Sequence, residues 1–98
     1  MYGLIGRIMC KPGTREQLIT ALLEGTTVMP GCLSYIVARD PADPEAIWVT
    51  EVWDQEASHK ASLSLPAVQA AIAKGRPLIA RFDHQTVTEP VGGHGLSK

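Results

Sequence analysis

The sequence predicts an α+β domain of β-α-β-β-α-β order, a four-stranded antiparallel sheet covered on one face by two helices. Three observations predict it. Four short β-rich runs fall at 4–10, 32–39, 46–53 and 81–88; helically spaced apolar residues fill the first and third intervals; a Pro/Asp turn fills the second. A chain of 98 residues divided in two would leave neither half enough apolar surface to bury, so one domain is expected, residues 1–91, followed by a flexible tail, 92–98.

The first strand, Leu4 to Cys10, stops at Lys11-Pro12-Gly13, where proline cannot continue a ladder and glycine allows the turn. Thr14 with Gln17 reads as a capping box. Leu18, Ile19, Leu22 and Leu23 then give an apolar stripe, so the first helix is expected from Arg15 to about Thr26. Met29-Pro30-Gly31 breaks the chain before the second strand, Cys32 to Arg39. The turn around Asp40-Pro41-Ala42-Asp43-Pro44 joins it to the third, Ala46 to Trp53. Asp54 is the expected N-cap of a short helix, and Leu65-Pro66 starts a second helical piece with Val68, Ala71 and Ile72 as its stripe. Gly75 and Pro77 end it before the last strand, Arg81 to Thr88, and the tail is too glycine-rich to pack.

This order with right-handed crossovers is the ferredoxin-like split βαβ arrangement, which leaves one sheet face bare. In the third strand, however, Ile47, Val49 and Trp53 alternate with Trp48 and Val52, so both faces are apolar where a half-solvated sheet would be polar outside. A second copy packing sheet to sheet is the economical cover, and a homodimer is expected.

Hydrophobic residues at 45% and charged residues at 19% are ordinary for a globular chain. A formal net charge of −1 gives no pull toward nucleic acid or acidic lipid, and no apolar run approaches the roughly 20 residues of a membrane span. The first residues carry no leader pattern, so a cytoplasmic location is expected. Cys10 and Cys32 close one strand and open a parallel one, too far apart for a disulfide, and read as free, small buried hydrophobes. No two of His59, His84 and His94 have ligand spacing, so no metal site is expected.

The segment from Glu51 to His59 carries the candidate chemistry. Glu51 shares a face with Val49 and Trp53, where a carboxylate is costly unless paired. An internal salt bridge to Arg7 or Arg81 is the simplest account, and a functional role the alternative. His59, about five residues past the cap of the short helix, reads as a surface or satisfied core residue unless it faces a cleft between helices and sheet. Tyr35, mid-strand, reads as packing unless it faces the same cleft.

Lys11-Pro12-Gly13, the run from Pro30 to Tyr35 (PGCLSY), that from Arg39 to Pro44 (RDPADP) and that from Glu51 to Asp54 (EVWD) resemble the antibiotic biosynthesis monooxygenase family, including its quinol monooxygenase-like members, over roughly residues 2–90. The resemblance implies a dimeric α/β barrel of two ferredoxin-like domains with a small-molecule cleft in each. It also implies oxygenation of phenol- or quinol-type substrates by molecular oxygen, with no flavin, haem or metal. Trp53 matches the family's strand-end tryptophan and Glu51 the acid two positions before it. Departures are Ser62 and Ala67, where many members carry histidines, and Val49, where some carry asparagine. The haem-degrading relatives' asparagine on the first strand and second-helix histidine find no counterpart in Arg7, Ile8 or Ser62. His59 lies one helical turn from Ser62 and can replace the missing imidazole.

The resulting expectation is a cofactor-independent monooxygenase acting on a small aromatic molecule. Trp53 and Tyr35 would sandwich the ring, Glu51 would help bind it, and His59 would take the phenolic proton. A non-catalytic binding or sensing dimer and a cofactor-free isomerase of a small carbonyl metabolite are the rival readings.

Overall fold

The computed structural model describes residues 1–96; Ser97 and Lys98, the end of the expected tail, lie outside the described residues. The elements run β1 (Tyr2–Cys10), α1 (Arg15–Gly25), β2 (Cys32–Arg39), β3 (Ala46–Trp53), α2 (Glu56–Ser62), α3 (Pro66–Gly75), one 3₁₀ turn (Arg76–Leu78) and β4 (Ile79–Thr88). The sheet order is β2-β3-β1-β4, and every neighbouring pair is antiparallel. This is the ferredoxin-like α+β arrangement, with β2 and β3 bounded as expected.

The two helical pieces expected after β3 are present, divided at Leu65-Pro66. Proline disfavours the α region for the residue before it, and Leu65 is extended (φ −69°, ψ 133°), which separates α2 from α3. Thr14 does precede α1, but it forms no capping box. Its hydroxyl donates to the carbonyls of Lys11 (2.7 Å) and Leu78 (3.2 Å), tying the turn to the 3₁₀ segment instead of capping the helix. Asp54 does not cap α2 either. Its amide bonds the Gly31 carbonyl (2.9 Å), so the chain is still tied to the strand entry, and extended Gln55 occupies the cap position. Helix α1 ends at Gly25, and β4 begins two residues before its expected start.

Alternation along β3 divides the molecule. Its register with β1 and β2 puts Ile8, Ile47 and Arg39 in one row and Gly6, Val49 and Val37 in the next, all on the face that meets the helices. Leu18 of α1 is fully buried against Ile8, Cys10, Ile47 and Val49, which form the core. The opposite rows place Ile5, Thr50 and Ile36 together, and Arg7, Trp48 and Ala38 together, on the outer face. Apolar residues therefore stand on both faces, and Ile36 is 55% exposed.

The outer face also explains where Arg7 went. Its guanidinium binds Asp40 (3.2 Å), Asp43 (3.3 Å) and Asp83, and it lies over the Trp48 ring. Trp48 Nε1 donates to Asp40 as well (3.0 Å). The β2–β3 turn is thus pinned by its own aspartates, with Asp40 Oδ1 accepting from the amides of Ala42 and Asp43. Both cysteines are free thiols, and burial pushes both up from their ordinary range, so neither is an activated thiolate. Among the described residues no helix is long and apolar enough to cross a membrane.

Helices α1 and α3 approach closely through Gly25. A Cβ there would run into the Ala71 methyl and sit 2.9 Å from the Ala67 carbonyl oxygen. Replacing a helical glycine by alanine ordinarily gains up to about 1 kcal/mol. Here the crowding outweighs that gain, and Gly25→Ala should lose about 1–3 kcal/mol in urea unfolding; an unchanged or raised midpoint would contradict this packing.

Candidate functional site

A cleft of about 850 Å³ lies between the helices and their face of the sheet, within the size range of small-molecule sites. Leu4, Leu22, Val68, Ile72, Phe82 and Val87 contribute its apolar wall. It is open along β4, where Phe82 and Val87 are 55% and 62% exposed because no helix covers that edge.

Tyr35, Glu51, Trp53 and His59 all line this cleft. The sheet register makes Tyr35 the cross-strand neighbour of Glu51, and Trp53 follows Glu51 by two residues on the same face. Helix α2 leaves the end of β3 and returns His59 to the same place. The His59 ring meets Trp53 nearly edge-on (centroids 5.5 Å, 68°), and Tyr2 lies 5.8 Å away at 34°. Edge-to-face and tilted contacts at these separations are favourable for aromatic rings.

The expected salt bridge of Glu51 is absent. Arg7 belongs to the opposite face and is engaged by the three aspartates, and no cation pairs with Glu51 among the described residues. What holds the carboxylate is Trp53, whose Nε1 donates to Oε1 (3.0 Å). Burial raises Glu51 above the ordinary carboxylate range, opposed by the indole N–H and by His59. Burial also raises the Tyr35 phenol, helped by the nearby Glu51 carboxylate and the Cys32 thiol, so Tyr35 remains a protonated hydrogen-bond donor. Trp53 itself is only 1% exposed, which leaves its face little area to stack on a ligand ring. It orders its neighbours instead.

Several contributors escaped the sequence reading. Tyr2 reaches His59 because β1 pairs Tyr2 with Trp53, a relation that exists only once the register is known. Ser62, noted only as a departure, is buried, and its hydroxyl donates to the His59 carbonyl (2.6 Å), locking the last turn of α2. Val49 is a core residue, and Ala67 is exposed. Gln85 adds a polar group across from Gly6, while Arg76 adds one where the 3₁₀ turn meets the cleft. Among the described residues no three His, Cys, Asp or Glu side chains are grouped to hold a metal ion.

A family model described as antibiotic biosynthesis monooxygenase matches residues 1–74, a span that includes β1, the hairpin and every cleft residue of α2. The chain belongs to the antibiotic biosynthesis monooxygenase family. A crystal structure from Chloroflexus aurantiacus J-10-fl, provisionally named an antibiotic biosynthesis monooxygenase, is 64% identical over 98% of both chains, with a TM-score of 0.96. A similarly named Deinococcus radiodurans structure is 26% identical over 95% of both chains (TM-score 0.75). One from Nitrosomonas europaea, 14% identical over 94% of this chain and 100% of the other (TM-score 0.83), shares the fold. No curated protein matches the chain.

For this family member, the raised Glu51 has a consequence for stability. The folded chain holds a proton at Glu51 more tightly than the unfolded chain does, so this residue subtracts stability as pH climbs from the ordinary value of 4.5 through its folded value. Glu51→Gln keeps an acceptor for Trp53 and removes that titration. Its stability relative to the parent should therefore increase as pH rises from about 4.5 toward neutrality, read by urea unfolding at a series of pH values; parallel curves would argue against it.

Proposed function

We propose that this chain is a cofactor-independent monooxygenase that oxidises a small phenol- or quinol-type molecule with molecular oxygen. The observation that carries the reading is a largely apolar cleft with a carboxyl, a phenol and an imidazole gathered at one end. Family membership and the monooxygenase names of similar structures support it.

The chemistry asks little of the protein. A phenolate is electron-rich enough to pass an electron to oxygen, so the site must hold a flat ring, favour its anion and limit water. When a ring carbon opposite the hydroxyl is oxygenated, one oxygen atom enters as the second carbonyl of a quinone. The other leaves as water, and the substrate supplies the electrons. Apolar side chains such as Leu22, Val68 and Phe82 suit the ring, while the hydroxyl is directed to the end where Tyr35, Glu51 and His59 meet. Tyr35, a protonated donor, binds the substrate oxygen, and Trp53 serves by holding Glu51 and packing His59.

The working form is a homodimer in the cytoplasm. Its support is the apolar outer face, where Ile5, Ile36, Trp48 and Val52 stand opposite the helix-covered side, and the presence of two free thiols. Two such sheets packed face to face make a barrel and leave each cleft on the outside. Ile36→Glu at this face should shift the protein to monomer in light scattering, and a dimer that survives Ile36→Glu and Trp48→Lys together would place the interface elsewhere.

Oxygen uptake with a panel of hydroquinones and naphthols should appear without added cofactor, persist after dialysis against a chelator, and put one labelled atom from ¹⁸O₂ into the quinone. Ligand-induced thermal shifts without turnover would favour the binding-only reading. Turnover that continues without oxygen would favour an isomerase.

A further inference from the structure

Glu51 is a part-buried carboxylate whose one structural service, accepting from the Trp53 indole, occupies only one of its two oxygens. Residues Arg7, Arg15, Arg39, Lys60 and Lys74 are all committed to other acids, and none of them reaches it. Its charge has to be sustained with a single neutral hydrogen bond, from Trp53 to Oε1. The other oxygen, Oε2, accepts no hydrogen bond from the described residues. It is not sealed away either, because no fully buried side-chain oxygen or nitrogen among them lacks a partner. Oε2 therefore keeps accessible surface on a residue that lines the cleft.

The groups facing this carboxyl are few. Tyr35 and Cys32 approach from β2, His59 from α2, and the indole of Trp53 from β3 itself. On β1 its cross-strand neighbour is Leu4, which faces Val87 on β4, so that side is apolar. A cleft base has to be oriented by a third group and left with one open acceptor. Glu51 meets both conditions. His59 does not: its ring lies against Trp53 and Tyr2, and no hydrogen bond from a described residue fixes either nitrogen.

We infer that Glu51, through Oε2, is the group that accepts the substrate's hydroxyl proton, and that Trp53 and His59 are its positioning and electrostatic partners. This rests on the phenol-oxidising reading above and assigns to Glu51 the step that the sequence alone gave to His59. In the step the substrate O–H bond breaks, its electron pair stays on the phenolate oxygen, and the proton forms a neutral carboxyl at Glu51. The His59 ring beside it favours the carboxylate form beforehand. Burial works the other way and makes the carboxylate a stronger base than an exposed one.

The test uses the full chain and two readouts. One is oxygen uptake with a dihydroxynaphthalene as a function of pH. The other is deuterium uptake from D₂O into that compound's ring carbons beside the hydroxyls, without oxygen, which needs the same deprotonation but no oxygenation. Glu51→Gln should lower both by at least about 100-fold, the scale of general-base catalysis, with naphthol binding changed less than tenfold. Glu51→Asp should recover part of the loss. The uptake rate of the parent should rise with pH through a group above the ordinary glutamate value. His59→Ala should cost less than Glu51→Gln and move that rise to higher pH, because it removes the ring that favours the carboxylate. Deuterium uptake lost in Glu51→Gln, in a parent that consumes no oxygen, would support Glu51 while refuting the oxygenase. Either rate within tenfold of the parent in Glu51→Gln, or a parent that shows neither activity, would overturn the assignment.

Discussion

The two-residue period of β3 is the constraint on which the rest depends. A strand points alternate side chains to opposite faces, and β3 lies between β1 and β2, so one alternation sets both sides of the sheet. Ile47, Val49 and Trp53 take the helix side, where Leu18 completes the core. Trp48, Thr50 and Val52 take the other. A one-residue slip would put Glu51 on the outer face and Trp48 into the helices, exchanging the cleft's carboxyl for a tryptophan.

Trp53 couples that core to the cleft. It is almost wholly buried, so its indole N–H needs a partner inside, and Glu51 is the partner it has. The arrangement is mutually fixing: the indole orders a carboxylate that burial disfavours, and the carboxylate satisfies the indole. The same ring supports one side of His59, and Ser62 ties the His59 carbonyl within α2. A short helix of this kind has little stability of its own. Its position follows from packing against the end of β3.

Outer-face electrostatics show why a salt bridge proposed from sequence can be misplaced. Arg7 and Glu51 are both on central strands, and opposite charges on neighbouring strands invite pairing. The register puts Arg7 across from Trp48, however, and Leu4 across from Glu51. Parity then separates them by the thickness of the sheet. The aspartates of the β2–β3 turn and Asp83 collect around Arg7 instead, so a turn that looks like simple punctuation also satisfies a part-buried cation.

The sequence by itself determined the element order, the bounds of β2 and β3 and the sorting of β3 into two faces. These follow from local chemistry: proline and glycine at the breaks, apolar alternation, helical spacing. Tertiary structure alone decided the partners. That Thr14 bonds Lys11 and Leu78 rather than capping α1, that Tyr2 comes up beside His59, and that Glu51 meets an indole instead of a guanidinium all depend on strand register and on how α2 and α3 settle after Pro66. Spacing along a chain fixes which face a side chain occupies. Which groups meet it there is set by residues distant in sequence, and only folding brings them into reach.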